Sequence, residues 1–255
     1  KTGGATHASV EGMQLGYRRM MQAMFADGIE TMRSKMAGLK QQTPNMVDFV
    51  HEMFGANSGN VSARAAADAW RKVTDWAADR WVSLGGKLTR KDTWRQPQAH
   101  DSARIYAAGK EQWTADIEQM VANGGATFRD FETGAPVTDA RRAAILDEMF
   151  QTITTDGANK IVPGEQRGTK LANKRDYQRA MQFETPEAWL SYHDKYGPGR
   201  GQIFDMLTAH LDGLGGDLGK LDVLGPNPNH TMQVLLDEAT KAGVKRSDVH
   251  RLETV

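Results

Sequence analysis

The sequence predicts a mostly α-helical protein, an irregular multi-helix bundle with long loops. Apolar side chains recur at steps of three and four residues in several segments, as they do on the buried face of an amphipathic helix. Most of these segments begin at a capping residue and end at glycine, and no alternation of strands with helices interrupts them. The 255 residues predict two helical regions, 1–125 and 126–255, or one continuous domain.

The first region opens with the longest predicted helix, at about 8–39. Its apolar positions form a wide stripe rich in methionine, which we interpret as adaptable core packing. Thr43 and Pro44 then predict the cap and first turn of a short helix that continues to Phe54. The first region therefore starts with two amphipathic helices.

A third helix is predicted from a cap at Ser62 to about Leu84. Three tryptophans lie on its apolar face or beside it, and they are candidate packing or interface anchors: Trp70, Trp76 and Trp81. Tryptophan is common both in cores and at the centres of protein interfaces, so the sequence leaves both roles open.

The middle of the chain predicts a helix, a strand-like stretch and another helix. Asp101 or Ser102 caps the first of these helices, which reaches Val121. The segment 127–137 is the one stretch with a β-like pattern. Thr138 then caps the next helix.

The most basic part of the chain is the loop 159–179. Six basic residues stand there against two acidic ones, and they are candidate contacts for nucleic acid or a protein partner: Lys160, Arg167, Lys170, Lys174, Arg175 and Arg179. A loop of this length inside a compact domain is unusual and is functional or mobile. We predict an extended arm that reaches away from its own bundle.

The segment 176–229 predicts two helices joined by a tight turn. Thr185 and Pro186 start the first helix, which carries an aromatic stripe of three further packing or interface candidates: Trp189, Tyr192 and Tyr196. The turn is the glycine-rich stretch 197–201. The second helix, 203–224, has a leucine-rich face and four internal glycines, which predict either close packing against another helix or a break near 215–216. A last helix is predicted at 231–242.

The order of features in 176–229 and just before it resembles a segment of the large, mostly helical internal virion or ejection proteins of short-tailed bacteriophages. It also resembles the related large polyvalent proteins. The pattern is a basic lead-in, a phenylalanine, a capping pair, Trp-x-x-Tyr, a glycine turn, a leucine-periodic helix and Gly-Pro-Asn-Pro. The corresponding residues are Lys174, Arg175, Arg179, Phe183, Glu184, Thr185, Trp189, Tyr192, 196–199, 203–224 and 225–228.

The resemblance implies a structural protein stored in the virion interior and found in the host cell envelope after ejection. It implies partners of three kinds: copies of itself, other virion proteins such as the portal or other ejection proteins, and phage DNA. It implies no catalytic residue. Because the chain begins with Lys1 rather than methionine, we expect an ordered part of a longer polypeptide.

Composition gives little sign of catalysis or cofactor binding. The formal net charge is zero, which argues against a general nucleic-acid binder, and cysteine is absent, which excludes thiolate chemistry. Although His51 and Glu52 start like a zinc-binding HExxH motif, Gly55 stands at the second histidine position. We expect no enzyme activity, no cofactor, no metal site and no transmembrane helix.

Two alternative functions remain open. The basic loop allows a module that contacts nucleic acid. A cell-wall-degrading enzyme is the other alternative, with Glu148 or Glu187 as the acid if either carboxylate lies in an apolar cleft.

Overall fold

A computed structural model describes residues 9–35, 42–88, 96–130, 135–160, 171–173 and 180–245. Within these ranges the protein is mostly α-helical, which confirms the predicted fold class. The helices are α1 Val10–Lys35, α2 Gln42–Met53, α3 Val61–Ser83, α4 Ser102–Ala108, α5 Lys110–Ala122, α6 Asp139–Thr154, α7 Pro186–Tyr196, α8 Ile203–Leu224 and α9 Pro228–Lys241. Two short strands, β1 Ala126–Phe128 and β2 Met181–Phe183, pair in antiparallel register.

The centre of the fold is a layer of three long helices, with α1 packed against both α3 and α8. Close approach between these helices depends on glycine. A Cβ atom at Gly219 would lie 2.5 Å from the backbone nitrogen of Gln14, and one at Gly28 would lie 2.4 Å from the Cβ of Ala69. The prediction of close helix packing is therefore confirmed for Gly215, Gly216 and Gly219 but not for Gly213, where an added Cβ would meet nothing within 4 Å. α8 runs without a break.

One apolar cluster joins both predicted regions of the chain. It contains Met21 and Trp70 from the first region and Trp189 and Leu211 from the second. The aromatic rings of Phe25 and Trp70 meet nearly edge to face, with centroids 5.1 Å apart. The described core is thus continuous across position 125.

Four local predictions are wrong. α2 begins at Gln42, so Thr43 lies inside the helix and does not cap it. Ser62 does not cap α3, because the side chain of Asn60 accepts the backbone N–H groups of Ser62 and Ala63 at 3.1 and 3.2 Å. The single helix predicted from 101 to 121 is divided into α4 and α5 by Gly109, whose φ of +79° lies in the left-handed region that favours glycine. The last helix begins at Pro228, three residues before the predicted 231, with Asn227 as its cap.

The strand-like stretch 127–137 is confirmed in part. Its first residues belong to β1, whose partner β2 was not predicted, and an isolated bridge joins Arg129 to Pro136. The predicted caps of α6 and α7 are confirmed, since Thr138 and Thr185 accept backbone N–H groups of the first turns. Among the described helices, none is both long and apolar enough to cross a membrane.

Candidate functional site

The aromatic stripe of α7 is enclosed by the protein's own chain. Trp189, Tyr192 and Tyr196 are all buried. The indole Nε1–H of Trp189 donates to the carbonyl of Pro97 at 3.1 Å, which fixes the segment 96–101 across α7. These three interface or packing candidates therefore lie in the core of the described structure.

His193, which the sequence did not single out, completes this aromatic cluster. Its ring lies 3.8 Å from the Trp189 ring, measured between centroids. Its Nδ1–H donates to the carbonyl of Trp189 at 2.8 Å, while its Nε2 accepts the N–H of Ala99 at 3.3 Å. Because Nδ1 donates and Nε2 accepts, these two hydrogen bonds select the neutral tautomer of His193 with its proton on Nδ1. The only signal in the sequence was its position, four residues after Trp189.

Two tyrosines of α7 connect the cluster to polar partners. The Tyr192 hydroxyl lies 2.7 Å from Nδ1 of His100, and burial raises the pKa of Tyr192. The Tyr196 hydroxyl donates to the carboxylate of Asp116. Partial burial raises the pKa of Asp116, but hydrogen bonds from Lys195, Tyr196 and Gln112 outweigh that effect and lower its pKa below the ordinary value.

The tryptophans of α3 divide into two kinds. Trp70 and Trp81 are fully buried, whereas Trp76 is half-buried and faces Tyr17 with ring centroids 6.0 Å apart. The Tyr17 hydroxyl donates to Asp222 at 2.5 Å and accepts from Nε of Arg80 at 2.7 Å. This polar cluster joins α1, α3 and α8, and burial together with the hydrogen bond to Asp222 raises the pKa of Tyr17.

A groove of about 630 Å³ lies between the segment 97–101 and α8. Its lining includes Pro97, His100, Arg104, Pro198, Met206 and His210. It holds two carboxylates, Asp101 and Asp205. Asp101 caps α4 and lies 3.4 Å from Arg104, while Asp205 is exposed on α8. An acid of the glycosidase type needs a carboxyl group held among apolar side chains, and neither carboxylate of the groove is buried in that way.

The other candidates for chemistry lie apart from one another. Glu148 is exposed, and the side chain of Glu187 is 68% exposed, 3.5 Å from His51. Glu52 is buried, where Ser58 and Arg64 hydrogen-bond its carboxylate and stabilise the α2–α3 turn. Within the described ranges, no group of three or more histidine and carboxylate side chains could hold a metal ion.

Most of the basic loop lies outside the described residues. This applies to Arg167, Lys170, Lys174, Arg175 and Arg179, and the side chain of Lys160 is likewise not described. One part of the predicted arm can be examined. Ala172 is buried, accepts the N–H of Lys87 at 2.7 Å and donates its own N–H to Pro226 at 3.1 Å. The prediction of an arm reaching away from the bundle is wrong at this residue.

Comparison with known protein families, curated proteins and solved structures finds no match to this chain.

Proposed function

We propose that this chain is a structural segment of a bacteriophage internal virion or ejection protein. In that role, several copies surround the genome exit path and help to deliver DNA across the host envelope. The proposal rests on one observation, the ordered set of features in 176–229 and its lead-in that resembles the corresponding segment of those proteins. It places the chain with copies of itself and with portal or other ejection proteins.

The packing of the recurring residues supports a structural role. Trp189 and Tyr192 are core residues, and Thr185 caps α7. A Cβ at Gly197 would lie 3.1 Å from the carbonyl oxygen of Ala99. Asn227 caps α9. Each of these residues has a packing or capping role in the fold, which supports a structural role for the segment.

Composition is compatible with storage in many copies. Zero net charge allows identical chains to crowd without strong repulsion. The absence of cysteine avoids accidental disulfides when a chain passes from a reducing to an oxidising compartment.

The test is the location of the parent polypeptide. Mass spectrometry of purified source particles should detect peptides of this chain, and cryo-electron microscopy should show helical density for it inside the capsid or at the portal. After infection, the same peptides should appear in the host envelope fraction. A parent polypeptide missing from both particles and envelope would overturn the proposal.

Contact with DNA is a second candidate function, favoured by the charge of 159–179. Six basic and two acidic side chains give this stretch a formal charge of about +4, although the chain as a whole has a net charge of zero. Binding of a fluorescent duplex should weaken steeply with salt, with a logarithmic slope near 0.9 for each phosphate contacted. Replacing Lys174 and Arg175 by glutamine should reduce that slope. Binding that does not weaken as the salt concentration rises would exclude the contact.

A further inference from the structure

The outward side of α1 is a helix face that no other described element covers. Tyr17, Met21 and Phe25 enter the core from the opposite side of the same helix. The uncovered residues recur with the helical period and are exposed: Glu11, Gly12, Leu15, Arg19, Ala23 and Ala26. Gln22 and Glu30 are exposed on the same side of α1, and the Gln22 amide donates to Asp212 of α8 at 2.6 Å. Nearer to Leu15, among the exposed residues of 11–20, only Glu11 and Arg19 carry a charge.

Leu15 is the large apolar side chain at the centre of this face, and 45% of it is exposed. The next residue, Gly16, has no side chain, and a Cβ built there would meet nothing within 4 Å. A second helix could therefore approach the backbone of α1 here and cover Leu15. A single exposed leucine is common on protein surfaces and needs no explanation by itself. The charges that flank Leu15 are what distinguish this position.

Those charges are arranged symmetrically about Leu15. Glu11 lies four residues before it and Arg19 four residues after it, one helical turn away on each side. Both side chains are exposed, and neither forms an ion pair or hydrogen bond with another residue of the described ranges. Opposite charges at equal distances from an apolar centre make the face complementary to itself when one copy is turned end to end.

We propose that two copies of the chain pair through α1, antiparallel, with Leu15 of each copy at the two-fold axis. Glu11 of one copy then lies opposite the partner's Arg19, and the same pair forms a second time across the axis. This is the self-complementary geometry of a two-fold symmetric interface. Parallel pairing would place like charges opposite each other, so the charges select the direction even though exposed ion pairs add little affinity.

The pairing is weak for two isolated chains. One helix pair covers much less than the roughly 800 Å² per partner of a standard stable interface. Held at the high local concentration of a particle, the same contact forms readily. The proposal deepens the multi-copy role proposed above and, for its biological setting, rests on it.

Cysteine cross-linking tests the contact and its direction, because the natural chain has no thiol. Leu15→Cys places two thiols at the axis, within the Cα separation of about 7 Å that a disulfide allows. In the antiparallel pair, the two copies of residue 11 are about 12 Å apart along the helix axis. Glu11→Cys should therefore not cross-link with itself, whereas a mixture of Glu11→Cys and Arg19→Cys chains should form a mixed dimer.

The matched control is Val61→Cys, an even more exposed position at 74% on α3. Under mild oxidation, Leu15→Cys should cross-link about tenfold faster than this control, because pairing raises the effective thiol concentration. Adding Glu11→Arg or Arg19→Glu to Leu15→Cys should remove the advantage. Mixing those two charge-reversed chains should restore it, since each then meets its opposite charge. Circular dichroism and thermal melting should show that every variant folds like the parent.

Two results would overturn the pairing. One is cross-linking of Leu15→Cys no faster than that of Val61→Cys, which would mean that the face is simply exposed. The other is self-cross-linking of Glu11→Cys as fast as that of Leu15→Cys, which requires parallel helices. Either result would leave the virion location unaffected, and a chain missing from virions would leave the cross-linking result standing.

Discussion

α7 and α8 are neighbours in the chain, yet they pack against the rest of the protein in different ways. The contacts of α7 depend on large aromatic residues, and the close contact of α8 with α1 depends on glycines. α7 is held by large rings, with Trp189 and Tyr192 filling space between the segment 96–101 and the core. α8 instead packs closely against α1, because Gly215 and Gly219 have no side chain and the two backbones can approach each other. Removing atoms should therefore damage the first contact, and adding atoms should damage the second.

The largest effect is expected from Trp189→Ala. The change leaves a cavity and removes the hydrogen bond to Pro97, so it should lower the free energy of unfolding by about 3–5 kcal/mol. Urea titration followed by circular dichroism measures the loss. Trp76→Ala is the matched control, since its half-buried ring should cost clearly less. Equal losses at the two positions would show that Trp189 has no special place in the core.

The second largest effect is expected from Gly219→Ala. The added methyl group would lie 2.5 Å from the backbone nitrogen of Gln14, so α1 and α8 must move apart. Overpacking of this kind costs about 1–3 kcal/mol in unfolding free energy. Thermal melting measures the loss, and a variant as stable as the parent would show that the helices do not approach as closely as described.

A smaller effect is expected from Tyr196→Phe, which removes the hydroxyl that donates to Asp116. The unfolding free energy should fall by about 1 kcal/mol at neutral pH, as for the loss of one hydrogen bond. The pKa of Asp116 is lowered in the folded state, so its stabilisation is complete above the unfolded value of 3.8. That stabilisation is lost as the pH falls through the folded pKa.

Asp116→Asn, followed by its effect on the pH dependence of stability, is the control for Tyr196→Phe. Asp116→Asn should make the unfolding free energy less sensitive to acid below about pH 4, because the titrating group is gone. In that background, Tyr196→Phe should cost less than it does in the parent. Equal costs in both backgrounds would show that the hydroxyl does not act through Asp116.

The smallest effect, and one of opposite sign, is expected from Gly213→Ala. This glycine lies on the exposed side of α8, where an added Cβ would meet nothing within 4 Å. Alanine favours the helix, so the unfolding free energy should rise by about 0.5–1 kcal/mol. Thermal melting beside Gly219→Ala measures the contrast, and destabilisation at both positions would mean that glycine matters to α8 for a reason other than contact.

The sequence predicted those parts of the fold that depend on local chemistry. Thr185 and Pro186 marked the start of α7, and the spacing of Trp189 and Tyr192 marked its buried stripe. The break at Gly109 was missed, because a lone glycine is compatible with a helix until its backbone conformation is known. The strand β2 was missed because three residues carry too little periodicity.

Features formed by distant parts of the chain could not be predicted from local spacing. Tyr17, Arg80 and Asp222 meet only because α1, α3 and α8 pack together, although they are far apart in sequence. The groove beside His100 likewise exists only after the segment 97–101 crosses α7. Tertiary packing, and no local pattern, creates both sites.

The contact between Gly219 and Gln14 has a consequence for natural sequence variation. An added Cβ at 219 would meet the backbone nitrogen and Cα of residue 14, atoms that every amino acid possesses. No substitution at 14 could therefore make room for a side chain at 219. Position 219 should therefore remain glycine. Two positions in contact show correlated substitutions only when both of them vary. Among related chains, the close approach of α1 and α8 at this point would leave no covariation signal.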